Sequence, residues 1–141
     1  MTKKILGVLV LTLALGTGVC FAEAEIPNLV GTWTTQSEAA LLTKAGGTGE
    51  WTHHSQEFST LSAELVITRQ QGRVIYATFT SKMATEPMAG VIGWDNKTIY
   101  FVDHDGFTDA TIVGKDKITC IYRHVGEKDA VAAAGVWTRK K

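Results

Sequence analysis

The stretch of residues 90–124 constrains the fold most, because it alternates short β-prone runs with turn residues. The β-branched and aromatic runs lie at residues 91–92, 99–102, 111–113 and 118–122. The gaps between them hold Asp, Asn and Gly, which form local hydrogen bonds or adopt positive φ at low cost. This spacing predicts a meander of antiparallel hairpins.

Four more runs of the same kind bring the predicted strand count to eight. They lie at residues 28–35, 61–70, 73–80 and 130–139. Residues 82–88 are predicted to form a loop, because Pro87 lacks the N–H that a central strand needs. An open sheet of these strands would expose two edges, and closure removes both. The sequence therefore predicts an all-β fold, an eight-stranded antiparallel up-and-down (meander) β-barrel, with an open sandwich as the alternative.

The N-terminus has the pattern of a secretory signal peptide. Lys3 and Lys4 precede a mostly apolar run at residues 5–15, and small residues follow. The apolar run is shorter than the roughly 20 residues that a membrane-spanning helix needs. Cleavage is expected after Ala22 or Ala24. We therefore expect export through the Sec route to the periplasm or the outside of the cell.

The chain divides into a signal peptide, residues 1–24, and a single barrel domain, residues 25–141. Cleavage would leave 12 of the 14 Lys and Arg and 13 of the 14 Asp and Glu. This near-neutral balance gives no electrostatic basis for nucleic-acid binding, and no stable membrane insertion is expected after cleavage. Cys120 would be the one remaining cysteine, so the domain must rely on packing or barrel closure rather than a disulfide.

Residues 36–59 are predicted to form a long loop, a lid-like insertion between the first two strands. Ser37 is a candidate cap for a short helix over residues 38–42, and the glycines of residues 45–49 break regular structure. Connections of this length are usually functional or mobile. The alternative is a surface insertion without a function.

Gly31-Thr32-Trp33 in the first strand and Arg139 in the last resemble the calycin pattern of lipocalins and avidins. The resemblance implies that Trp33 packs at one barrel end and that Arg139 lies across its ring, a contact worth about 0.5–2 kcal/mol. The chain also resembles small exported bacterial proteins of unassigned function with a G-T-W start and a T-R ending. Other lipocalin motifs and the biotin-binding residues of avidins are absent, so the resemblance implies a fold and no particular ligand.

Aromatic side chains are the usual apolar lining of a ligand cavity. The candidates for ligand binding, in the cavity or at its mouth, are Trp33, Trp51, Tyr76, Phe101 and Tyr122. Alternation along the strand means that Tyr76 and Phe79 cannot both face inward.

The last strand carries small residues, Ala130, Ala132, Ala133, Ala134 and Gly135. On the inner face they leave room for a ligand or for a bulky neighbour such as Tyr122 or Trp51. On the outer face they permit the close approach of another subunit. Close packing of protein interiors favours the neighbour.

Patterns that would support chemistry are weak. The residues 103–106 turn, with Asp109 nearby, has too few carboxylates for a calcium loop and indicates a hairpin turn. Cys120 and His124 lie four residues apart, about 13 Å along a strand, too far for a thiol–imidazole dyad. We therefore predict no catalytic residues, no metal and no cofactor.

The sequence favours an exported, non-catalytic binding module that holds a small, largely apolar ligand. The alternatives are a solid barrel that acts as a structural or protein-interaction protein and, less favoured, a barrel isomerase-type enzyme using Glu64, Glu86 or Asp109. The expected partner is a small apolar molecule or a protein, and a homo-oligomer is an open alternative. A cavity of roughly a few hundred Å³ would favour the first function, and a packed interior with an exposed apolar patch the second.

Overall fold

The computed structural model describes residues 25–43, 53 and 58–141. Within this part, eight antiparallel strands form a closed barrel in sequence order, as predicted. The strands are β1 (Gly31–Thr43), β2 (Phe58–Gln71), β3 (Val74–Thr80), β4 (Thr85–Ile92), β5 (Thr98–Val102), β6 (Gly106–Gly114), β7 (Lys117–Val125) and β8 (Asp129–Arg139). Pairing of β1 with β8, from Trp33 with Arg139 to Thr43 with Asp129, closes the sheet. The predicted signal peptide lies outside the described residues.

Alternation of buried and exposed side chains explains why these segments are strands. In β5, Ile99 and Phe101 are buried while Tyr100 and Val102 are exposed, and the other strands show similar alternation over much of their length. A period of two places every second side chain in the barrel interior. The main core cluster consists of Leu29, Trp33, Leu65, Ile67, Ile75, Ala77, Met88, Ile92, Ile99, Phe101, Ala110, Ile118, Cys120 and Trp137.

The turns use the predicted side-chain chemistry. Asp103 Oδ1 accepts hydrogen bonds from the backbone N–H of Asp105 at 3.1 Å and of Gly106 at 2.6 Å. Asp95 Oδ1 does the same for the backbone of Lys97 and Thr98. Each carboxylate therefore stabilises its own hairpin turn. For residues 103–106 these contacts agree with the predicted hairpin turn.

The predicted loop over residues 36–59 is wrong at both ends, and the predicted helix over residues 38–42 is wrong. Strand β1 continues to Thr43 and β2 begins at Phe58. Residues 38–42 have high helix propensity, but β8 pairs with all of them, and Ala39 and Leu41 face the interior. Tertiary pairing overrides local propensity here. Residues 44–52 and 54–57 lie outside the described residues, so the lid remains a prediction.

The predicted loop over residues 82–88 is also largely strand, since β4 begins at Thr85. Pro87 pairs with Thr78 of β3, whereas pairing of β4 with β5 begins only at Ala89. Pro87 therefore has a strand on one side only, and a missing N–H is tolerated there as it is at a sheet edge.

The two barrel ends differ in chemistry. We call the first the Trp33 end, where the buried Trp33 ring donates from Nε1 to the carbonyl of Leu29 at 3.1 Å. The opposite end carries the β3–β4, β5–β6 and β7–β8 turns, and we call it the acidic end. Its carboxylates include Glu86, Asp103, Asp105 and Asp129, and Glu127 is exposed in the β7–β8 turn.

Across the described ranges, no helix has the length and hydropathy to span a membrane.

Candidate functional site

The barrel interior encloses a cavity of about 50 Å³. Its described lining combines apolar side chains with a few polar ones that belong to the acidic end. The lining residues are Thr35, Ser37, His53, Leu61, Phe79, Glu86, Met88, Asp103, Thr108, Cys120, Tyr122, Ala133, Gly135 and Trp137. A cavity needs roughly 10–15 Å³ to hold one water molecule, so this volume has room for a few waters or a comparably small organic group.

Small residues of β8 create this space. Ala133 and Gly135 line the cavity, and a Cβ added at Gly135 would lie 3.0 Å from Cys120 Sγ. Tyr122 packs against Ala133 and the neighbouring buried residues, so it fills part of the room. The interior is therefore partly filled by a neighbouring aromatic, as close packing favours, and partly hollow.

Three of the five predicted ligand-binding aromatics lie inside the barrel, and one of these lines the cavity. Tyr122 is the lining residue. Trp33 and Phe101 are core residues with 0% and 1% exposure, and the Phe101 ring meets Trp137 edge-on at 5.8 Å between centroids. The Phe101 ring lies against Gly90, where an added Cβ would overlap it. Trp33 and Phe101 therefore belong to the packed core next to the cavity and do not line it.

Tyr76 lies on the outer face of β3, with 46% of its surface exposed. The guanidinium of Arg69 lies 4.6 Å from its ring centroid. Its outward direction follows from Phe79, which lines the cavity from the same strand three positions later. The structure therefore places Tyr76 outside the cavity. Trp51 lies outside the described residues.

Thr35 places an unpartnered hydroxyl in the cavity wall. Its residue is 2% exposed, and Oγ1 has no hydrogen-bond partner among the described residues. A buried polar atom without a partner costs about 1–3 kcal/mol, so such atoms are rare in folded proteins and usually meet water or a ligand.

His53 joins two elements of the acidic end. Its Nδ1 lies 2.6 Å from Ser81 Oγ and its Nε2 lies 3.0 Å from Glu86 Oε2. The imidazole also packs edge-on against Phe79, at 5.0 Å between ring centroids. This single described residue of the β1–β2 connection is therefore fixed over the cavity by β3, β4 and the turn between them.

The Ser81–His53–Glu86 arrangement has the outline of a hydrolase triad but not its chemistry. Ser81 Oγ accepts from the backbone N–H of Met83 at 3.0 Å and of Ala84 at 3.2 Å. A hydroxyl has two lone pairs and one hydrogen, so its hydrogen is left to donate to His53 Nδ1. With both lone pairs occupied, Ser81 is a poor nucleophile, and the geometry instead assigns the Nε2–H tautomer to His53.

His124 is held between two carboxylates. Its Nδ1 lies 3.0 Å from Asp105 Oδ2 and its Nε2 lies 2.7 Å from Asp129 Oδ1, while the histidine is 5% exposed. Burial by itself would lower the pKa of His124, but hydrogen bonds to Asp105 and Asp129 and their negative charges raise it. Since both nitrogens donate to carboxylates, the imidazolium form fits this position.

Tyr122 receives the field of the acidic end. Its ring lies across Gly106, where an added Cβ would overlap it, and its hydroxyl donates to Asp105 Oδ1 at 3.4 Å. Burial raises the pKa of Tyr122, and the charges of Asp103, Asp105 and Glu86 raise it further. The phenol therefore remains a neutral hydrogen-bond donor at the cavity wall.

Cys120 lines the cavity as an inert thiol. Burial raises its pKa to about 12, and a backbone hydrogen bond at Gly135 opposes that shift only in part. The thiolate is the nucleophilic form, so this cysteine is unsuited to covalent chemistry near neutral pH. Within residues 25–43, 53 and 58–141, no group of three or more His, Cys, Asp or Glu could hold a metal ion.

Sequence reasoning missed most of the polar residues at this site. It did not identify the His53–Ser81 and His124–Asp129 contacts or the role of Thr35. A usable signal existed, because alternate turns of a meander lie at the same barrel end. That parity places Ser81, the turn at residues 103–105 and Asp129 together.

Comparison with known proteins assigns no family. No family model matches the chain, and no curated protein matches it significantly. A redesigned β-barrel has a TM-score of 0.49 and 9% identity, covering 80% of this chain and 92% of its own. An S-type phycobiliprotein lyase from Guillardia theta has a TM-score of 0.38 and 12% identity, with 80% and 89% covered. At these values neither similarity carries an argument about function, and the fold rests on the strand pairing of the chain itself.

Proposed function

We propose that this protein is an exported, non-catalytic binding module that holds a small ligand, or the end of a longer one, in its barrel. The observation that carries the proposal is the unpartnered hydroxyl of Thr35 in a cavity otherwise lined mainly by apolar groups. Apolar walls supply burial free energy and a few polar groups fix orientation, which is the usual construction of a small-molecule site.

The cavity volume limits the size of the enclosed group. About 50 Å³ is well below the roughly few hundred Å³ of a site for a drug-sized molecule. The enclosed part of the ligand is therefore a small group of a few non-hydrogen atoms. This is smaller than the ligand expected from the sequence. The volume criterion by itself therefore favours the packed barrel, and the binding proposal rests instead on the unpartnered Thr35 hydroxyl.

Two observations support a non-catalytic role. Ser81 has both lone pairs occupied by backbone N–H groups, and the pKa of Cys120 is raised to about 12. A nucleophile needs a free lone pair and a nearby base or a lowered pKa, and neither of these two residues has that combination. Export is supported by the signal-peptide pattern of residues 1–24.

Native mass spectrometry of the mature protein, purified from its own host, tests this proposal. A stoichiometric adduct that is released on denaturation would support binding, and its mass would identify the ligand. The same spectrum would give the cleavage site. A clean polypeptide mass, combined with no response of cavity residues to any small probe, would contradict the proposal.

A second candidate function, protein interaction, is favoured by the outer face of β3 to β6. Two adjacent rows of cross-strand neighbours are apolar there. The rows are Val74, Val91 and Tyr100, and Tyr76, Ala89, Val102 and Phe107. Six of these seven side chains, all except Ala89, are 44–60% exposed. Contiguous exposed apolar patches often mark interaction sites.

Sedimentation velocity over a range of concentrations tests whether this face pairs two copies of the chain. Tyr100 lies in the middle of the face, so Tyr100→Lys should shift any dimer towards monomer. Thr34→Lys, on the exposed face of β1, is the matched control. A monomer at all concentrations would contradict self-association through this face.

A further inference from the structure

The charges that face the cavity are of one sign. Glu86 and Asp103 both line it, and no Lys or Arg is among its described lining residues. A carboxylate beside an apolar cavity attracts a cation more strongly than it would in water, because the local dielectric constant is lower.

The charge of Glu86 is not cancelled by His53. Ser81 donates its hydroxyl hydrogen to His53 Nδ1, since both of its lone pairs accept from the backbone. His53 Nδ1 is therefore an acceptor, and the ring is the neutral tautomer that donates from Nε2 to Glu86 at 3.0 Å. Glu86 thus keeps its negative charge while its position is fixed.

Asp103 also keeps its charge. Its Oδ1 accepts from the backbone N–H groups of Asp105 and Gly106, which carry no formal charge that could neutralise it. Among the described residues Asp103 makes no ion pair. Lys82 and Lys128 lie in the β3–β4 and β7–β8 turns of the acidic end, but both are exposed and neither lines the cavity. The buried cation at this end is the His124 imidazolium, and Asp105 and Asp129 carry one negative charge more than it balances.

The Tyr122 hydroxyl lies in the electrostatic field of these carboxylates. Burial is the largest cause of the raised pKa of its hydroxyl, and the charges of Asp103, Asp105 and Glu86 each raise this pKa further. Three carboxylates from β4 and the β5–β6 turn therefore act on one atom at the cavity wall. The interior of the acidic end favours positive charge.

A separate observation points to a ligand in the same cavity. The Thr35 hydroxyl is buried without a partner, on the side of the cavity towards Trp137. It can donate to or accept from a polar atom of a bound molecule. A ligand that extends from the carboxylates into the apolar space would bring its far end towards this hydroxyl.

We propose that the ligand is a small organic cation, an alkylammonium or related amine, whose positive group is held by Glu86 and Asp103 and whose apolar part enters the cavity towards Thr35. The inference rests on the proposed binding function and adds the chemical class of the ligand. Hydrogen bonds between an ammonium and carboxylates are stronger than those between neutral groups.

The test compares three probes of nearly equal size on the mature protein at pH 7 and constant ionic strength. The probes are n-propylammonium, 1-propanol and propionate, which carry positive, no and negative charge. Binding is followed by NMR through the backbone amides of Gly135 and Trp137, which line the cavity. We expect n-propylammonium to bind at least about tenfold more tightly than 1-propanol, and propionate to bind most weakly.

The carboxylates are then tested with Glu86→Gln and Asp103→Asn, singly and together. Each substitution removes a charge but keeps an oxygen acceptor for the hydrogen bonds that the site needs. Each single variant should weaken n-propylammonium binding about threefold to tenfold and leave 1-propanol binding unchanged. Glu127→Gln is the matched control, because Glu127 is exposed in the β7–β8 turn at the same end and does not line the cavity.

The outcomes separate the two proposals. Equal binding of 1-propanol and n-propylammonium would overturn the cation inference and leave the binding function standing. A preference that survives the double substitution, or that Glu127→Gln also reduces, would overturn the role of Glu86 and Asp103. No shift at Gly135 or Trp137 with any probe would overturn both the inference and the proposed function.

Discussion

The guanidinium of Arg139 lies 4.2 Å from the centre of the Trp33 ring. Its Nη1 and Nη2 also donate to the carbonyls of Val30 at 2.9 Å and Asn28 at 3.1 Å. The last strand is thereby joined to the segment that leads into the first, and the ring beneath is fully buried. This is the contact that the calycin resemblance implies, and it closes the Trp33 end of the barrel.

Removing the Trp33 ring should destabilise the barrel strongly. Trp33→Ala is expected to lower the free energy of unfolding by about 3–5 kcal/mol, because a large buried side chain leaves a cavity. Urea unfolding followed by circular dichroism measures the change. Trp94→Ala is the control, since Trp94 is 89% exposed, and it should change stability by less than about 0.5 kcal/mol. Similar losses in both variants would contradict the placement.

Gly31 should not tolerate a side chain. Its φ is +138°, and an added Cβ would lie 3.1 Å from Arg139 Nη1. Gly31→Ala is therefore expected to cost about 1–3 kcal/mol of unfolding free energy. Gly114→Ala provides the comparison, because nothing lies within 4 Å of its Cβ position. If thermal unfolding midpoints fell equally in the two variants, the backbone argument would be wrong.

The Thr35 hydroxyl should cost stability in the empty protein. Thr35→Val keeps the shape and removes the unpartnered Oγ1, so the unfolding free energy should stay the same or rise by up to about 1 kcal/mol. Thr98→Val should have the opposite sign, because that hydroxyl donates to Asp95. Chemical denaturation of both variants gives the comparison. A loss above about 1 kcal/mol for Thr35→Val would show that the hydroxyl is satisfied.

The His124 ion pairs should make stability fall as pH rises. The folded-state pKa of His124 is raised by Asp105 and Asp129 above its ordinary value of about 6.5, so folding favours the protonated form. This contribution is fully present below about pH 6.5 and is lost as the pH passes the folded-state pKa. Thermal midpoints measured from about pH 6 upwards should show the decline in the native chain.

His124→Gln is expected to remove that decline. His104→Gln should retain it, because His104 is exposed in the β5–β6 turn. NMR titration of the His124 ring protons would locate the folded-state pKa directly. A midpoint that rises with pH over this window, or an unchanged profile in His124→Gln, would contradict the assignment.

Cys120 should resist alkylation in the folded protein. Burial raises its pKa to about 12, so little thiolate is present at pH 8. Iodoacetamide should react at least about 100-fold more slowly with the folded chain than with the urea-unfolded chain. An exposed thiol at position 62, made by Ser62→Cys in a Cys120→Ala background, should react quickly without urea. Rapid reaction of native Cys120 would mean that the cavity opens readily to solvent.

The strand order could be predicted from the sequence because each turn is determined by residues that are neighbours in sequence. Asp95 and Asp103 sit where a hairpin needs a side-chain acceptor, and the runs between them alternate. The predictions failed where the deciding contact is distant in sequence. Residues 38–42 have helical propensity, and only their pairing with β8 makes them strand.

The candidate site could be predicted less well, for the same reason. Tyr122 could be predicted because aromatic side chains commonly line cavities and because the small residues of β8 leave room for a bulky neighbour. The partners of His53 are 28 and 33 residues away, so only the barrel register brings Ser81 and Glu86 to it. The sequence could not decide between Tyr76 and Phe79 as the inward-facing residue, because nothing local fixes which face of β3 turns inward.

Closure of β1 on β8 also sets the order in which the molecule can be completed. The two strands pair along their length, yet they are the first and last strands of the barrel in sequence, so the barrel cannot close until β8 is available. Contacts of such long sequence separation form slowly. Before then, β1 and the growing end present unpaired backbone groups, which invite association with other chains. A chain released without β8 should therefore aggregate rather than fold, because it lacks both the pairing with β1 and the contact of Arg139 with Trp33.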